Sequence, residues 1–93
     1  MPPPRIYCDF NGGVAADTYG LNCKGTLDDV RAAGVTLAPG LNIVVYDEDV
    51  DDDGTPTLML ADAVVVEVPG WGLCAKCVSP FRRERGDPTQ RDR

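Results

Sequence analysis

Histidine is missing from all 93 residues, and serine occurs once, at Ser79. The first absence removes the usual general base at neutral pH. Together they leave no Ser–His or Cys–His pair for nucleophilic catalysis. No glycine-rich stretch leads into Lys-Ser or Lys-Thr, because Asn11-Gly12-Gly13 runs on into Val14. A phosphate-cradling loop is therefore not spelled. Asp9, Asp28 and Asp29 could pair as acid and base in principle, but nothing in their spacing brings them to one pocket. The chain is expected not to be an enzyme.

Long apolar runs are also missing. None approaches the roughly 20 residues of a membrane-spanning helix. Met1-Pro2-Pro3-Pro4-Arg5 lacks the apolar segment of a secretory signal. The expectation is a cytoplasmic protein without a membrane partner. Aromatic residues make up only 6%, and the single Trp71 is expected to pack over the core.

Positive charge is scarce where the body should fold. Residues 1–79 hold twelve acids and four bases, a balance of minus eight. Residues 80–93 hold five Arg and three acids, plus two, which completes the total of minus six. An acidic body repels phosphate backbones, so nucleic acid is not an expected partner. The Arg-rich end has the composition of a solvated, disordered tail.

What the chain does have is β pattern. Arg5 to Phe10 alternates, with Ile6, Cys8 and Phe10 on one side. Thr18 to Cys23 reads as a second strand, weakened by Gly20. Thr26 followed by Asp29 approximates a capping box and opens the one short helix. Leu27 and Val30 should face inward there, and Gly34 has the chemistry of a left-handed end. Leu41 to Tyr46, Leu58 to Val68 and Trp71 to Val78 read as a three-strand meander. Leu58, Leu60, Val64, Val66 and Val68 share a face, and Asp62 falls on it too. A bulge near Ala61 to Ala63 would turn Asp62 outward. These elements predict a mostly β fold: a small antiparallel SH3-like or OB-like barrel of about five strands with one short helix. Its boundaries would be residues 5–79, after an N-terminal extension (1–4) and before the tail (80–93).

Two clusters hold candidate metal ligands. Asp49-Val50-Asp51-Asp52-Asp53-Gly54 spells DxDxDG, the start of a calcium loop. Asp49, Asp51 and Asp53 would supply carboxylates, and Thr55 the carbonyl of position seven. The loop departs at position twelve, where Leu60 replaces a bidentate Glu, and no helix flanks it. The alternative is a solvated hairpin loop that keeps two apolar strands soluble. Cys74-Ala75-Lys76-Cys77 is a CxxC. With Cys8 and Cys23 it could form a four-thiolate zinc site, since no histidine is available. Against this, residues three apart on a regular strand point to opposite faces.

Ile6-Tyr7-Cys8-Asp9-Phe10-Asn11, Thr26-Leu27-Asp28-Asp29, Gly40 to Asp47, the Asp-rich connection and Gly70-Trp71 together resemble a group of short bacterial proteins with no assigned function. That resemblance spans most of residues 5–78. It implies the barrel and supplies no activity. The final strand departs from it, because Leu73-Cys74-Ala75-Lys76-Cys77 stands where relatives carry an aliphatic run. The leading expectation is a non-enzymatic, acidic module that contacts another protein, as monomer or weak dimer. Structural zinc comes second and weak calcium binding third.

Overall fold

Apolar residues crowd both faces of the stretch between Leu41 and Val78, and that decides the architecture. The computed structural model describes residues 2–85. They form β1 (Arg5–Tyr7), β2 (Gly13–Ala15), β3 (Thr18–Gly20), α1 (Lys24–Ala33), β4 (Asn42–Val50), β5 (Pro56–Val68), β6 (Gly72–Cys77) and β7 (Arg82–Arg85). The seven strands make one sheet in the order β1-β4-β5-β6-β3-β2, with β7 also paired to β5. The mostly β class and single helix are as the sequence predicts. The sheet is mixed and does not close, so the antiparallel barrel of about five strands is corrected to an open sheet of seven. β1 runs parallel to β4, a pairing that needs a long connection. Residues 8–41 supply it.

The β4–β5 hairpin keeps one register from Asn42↔Val64 to Val50↔Pro56. There is thus no bulge at Ala61 to Ala63 on that side, and Asp62 faces Val44. The irregularity lies on β5's other neighbour. Ala63 pairs with Cys77 and Leu60 with Arg82, so Ala61 and Asp62 oppose the four residues Val78 to Phe81. The Val78 N–H donates to the Asp62 carbonyl (2.8 Å), and the Asp62 N–H donates to Ser79 Oγ (2.9 Å).

Asp62 stays exposed because the main core uses the opposite parity of β5. Ala61, Ala63 and Val65 pack with Ile6, Cys8, Leu21, Ile43, Val45 and Ala75. Leu60 instead joins Val44 and Tyr46 in a second cluster, flanked by Tyr7 and Leu58. Each fully buried aliphatic side chain contributes about 1.5–3 kcal/mol. Trp71 is not part of either cluster. It is 60% exposed in the β5–β6 turn, which Gly70 makes with φ +82°.

The helix begins at Lys24, two residues before the predicted cap, and Cys23 precedes it without a side-chain capping bond. Thr26 lies inside the first turn and is fully buried. Its hydroxyl donates instead to the Tyr7 carbonyl (2.5 Å). Asp29 Oδ2 accepts from the Tyr7 N–H (2.9 Å) and from the Tyr46 hydroxyl (2.5 Å). Helix side chains thereby satisfy both main-chain groups of Tyr7 on the outer side of β1, part of what an open sheet would otherwise leave as a bare edge. Gly25 permits the approach, since a Cβ there would lie 2.7 Å from the Tyr7 ring. Leu27 is exposed rather than inward. Gly34 ends the helix at φ +68°, as its chemistry predicts.

The tail expectation is corrected for Arg82–Arg85, which pair with β5 from Leu60 to Thr57. Charge outweighs composition here, because β5 and the acidic hairpin offer carboxylates to this Arg-rich strand. The rest of the predicted tail, 86–93, lies outside the described residues.

Candidate functional site

The β4–β5 connection gathers five Asp and one Glu within Asp47 to Asp53. Its bend follows the sequence. Gly54 adopts φ +85°, and its N–H donates to the Asp51 carbonyl (2.8 Å). The Asp51 N–H donates to the Thr55 carbonyl (2.9 Å), the very group that a calcium ion would need. Asp53 Oδ1 accepts from the Thr55 N–H (2.9 Å). Hydrogen bonds from Thr55, side chain first and main chain second, hold the Asp53 carboxyl below its usual range.

Asp49 and Asp51 do converge, but on a guanidinium. Arg83 Nη2 donates to Asp49 Oδ2 (3.2 Å), and Nη1 to Asp51 Oδ1 (3.1 Å) and Thr57 Oγ1 (3.2 Å). Side chains on β4, the loop, β5 and β7 thus meet at one place. The structure joins Asp49 and Asp51 through Arg83 and leaves Asp53 and Thr55 bonded to each other. Among the described residues no group of three metal-ligating side chains converges.

The four thiols are not assembled into one site. None forms a disulfide; Cys8 and Cys74 are buried, and Cys23 and Cys77 half-buried. Cys77 packs on the main core with Leu73 and Ala75, whereas Cys74 is outside that cluster. The CxxC thiols therefore diverge across β6, as strand alternation requires. Cys74 Sγ lies 3.7 Å from the Gly72 carbonyl, Cys8 Sγ 3.7 Å from the Gly20 carbonyl, and Cys23 Sγ 3.1 Å from Thr26 Oγ1. Burial, reinforced by the neighbouring Cys77 and Cys23, pushes the Cys8 thiol up to about 12. Burial also raises Cys74, and burial with Asp17 raises Cys77. Thiols shifted in this direction are poor nucleophiles and poor ligands at neutral pH.

Sequence reasoning misses Arg83. The available signal is the opposition of sign between the loop and the tail, which composition alone presents as two separate solvated features. No helix among the described residues is long and apolar enough to cross a membrane. No protein-family model, curated protein or solved structure matches the chain.

Proposed function

We propose that this chain is a non-enzymatic protein-interaction module whose acidic hairpin tip receives a basic partner. The observation that carries the reading is the tip itself. It carries five acidic side chains between Glu48 and Asp53 on a two-stranded arm, with Val50, 60% exposed, among them, while Asp47 turns back to accept from the Phe10 N–H (3.2 Å). Arg83 answers Asp49 and Asp51, while Asp52 is exposed at the turn. Such a field steers cationic surfaces and accelerates their encounter. The burial of Cys8 and Cys74, the divergence of the CxxC pair and the missing histidine support a binding role over catalysis. A cytoplasmic setting belongs to the proposal, since free thiols suit a reducing compartment.

The test is crosslinking in cells through a photoreactive residue in place of the exposed Val50, with and without Asp51→Asn/Asp52→Asn/Asp53→Asn. A basic protein should be captured when the three carboxylates are intact, with at least about a fivefold loss when they are neutralised. That loss corresponds to roughly 1 kcal/mol, the scale of a rim charge cluster. Capture of nothing, or capture indifferent to the charges, would refute the reading.

A further inference from the structure

We propose that the strip of β5 beneath β7 is a docking edge for a basic, extended segment of another protein, and that β7 is its built-in occupant. The inference rests on the reading of the acidic tip as a contact surface, and adds how the partner binds. β7 pairs with Thr57 to Leu60 of β5, yet none of its four residues is apolar. Besides the main-chain ladder, it is held by charge. Arg82 meets Asp62 at 3.2 Å, Arg83 meets Asp49 and Asp51, and Glu84 meets Arg5 at 3.2 Å. The partners in these pairs are close to half exposed, and exposed pairs are individually weak. By contrast β6 inserts buried Cys74 and Ala75. Val78 to Phe81, the four-residue irregularity, separates the firmly held β6 from the loosely held β7. Phe81 is anchored on Phe10 with ring centroids 5.0 Å apart, so the chain can part after it while β6 stays.

The edge has both elements of recognition by strand addition. Main-chain groups supply pairing, and alternate side chains reach separate acceptors. Arg83 goes to the hairpin tip on one face and Arg82 to Asp62 on the other. The fitting ligand is an extended segment with adjacent arginines. β7 competes with it intramolecularly, at an effective concentration in the millimolar range.

The experiment uses the full chain, wild type and Arg82→Glu/Arg83→Glu, with a fluorescent synthetic peptide Pro-Phe-Arg-Arg-Glu-Arg copied from residues 80–85. Releasing β7 should tighten peptide binding about tenfold, because the competing closed state is depopulated. N-methylation of alternate peptide amides should abolish the gain. Where the double variant does not fold, Arg83→Gln replaces it, with about threefold tightening expected. Equal affinity for both proteins, or undiminished binding of the N-methylated peptide, overturns strand replacement and leaves the tip as a contact surface. No binding to either folded protein overturns it too, while the crosslinking test judges the tip separately. A wild-type dimer that the variant fails to form would assign the edge to a second copy, and overturns the partner named here.

Discussion

Replacing Asp29 by alanine is expected to destabilise the fold by at least about 3 kcal/mol. One carboxylate oxygen accepts both the Tyr7 N–H and the Tyr46 hydroxyl. Hydrogen bonds to a charged group contribute about 1.5–3 kcal/mol each, and a main-chain donor left in a part-buried place adds its desolvation penalty. The loss is large against the roughly 5–15 kcal/mol that holds a small domain together. Asp29→Asn keeps an acceptor oxygen and should lose less than half as much. Urea unfolding monitored by Tyr and Trp fluorescence reads both. The signature of the edge lock is local: in Asp29→Ala the Tyr7 amide should exchange with solvent faster than the amides of β5. If Asp29→Ala unfolds at the wild-type midpoint, the helix does not guard β1.

Leu60→Ala should lose a similar amount, about 3 kcal/mol within the 2–5 kcal/mol span of buried leucine truncations. Leu60 is fully buried between Tyr46 of β4 and Arg82 of β7, on the face of the smaller cluster. The comparison between Val65→Ala and Val64→Ala tests the two-faced account further. Val65 is fully buried in the main core, and Val64 is only half-buried. The first variant should be the more destabilised by at least about 1 kcal/mol. Equal losses would contradict the placing of the main core on the Val65 face of β5.

The same residues show how far the sequence is readable. Apolar alternation locates β4, β5 and β6 within a few positions, because long strands pack on both sides of a hairpin whose register the turn fixes. It misjudges which parity of β5 faces the main core. Alanine at 61 and 63 looks like filler beside Leu58, Leu60 and Val64, yet small residues are what a close-packed centre accepts. Thr26 and Asp29 carry a capping signature, and the fold uses both on a neighbouring strand instead. Local pattern reports what a side chain can bond, and tertiary structure chooses the partner. β2 is hidden in the sequence because Gly12 and Gly13 suggest only a turn. At the candidate site, the acidic residues are evident from composition. Their partner Arg83 lies 32 residues beyond Asp51 in the chain, a separation that no local window spans.

Native mass spectrometry of protein purified without chelator tests most directly whether apolar packing and the helix–strand locks hold the fold without a structural ion. The diverging CxxC and the guanidinium between Asp49 and Asp51 predict a single species at the mass of the bare chain, unchanged after EDTA. One zinc or calcium ion per chain, whose removal unfolds the protein, would contradict the account.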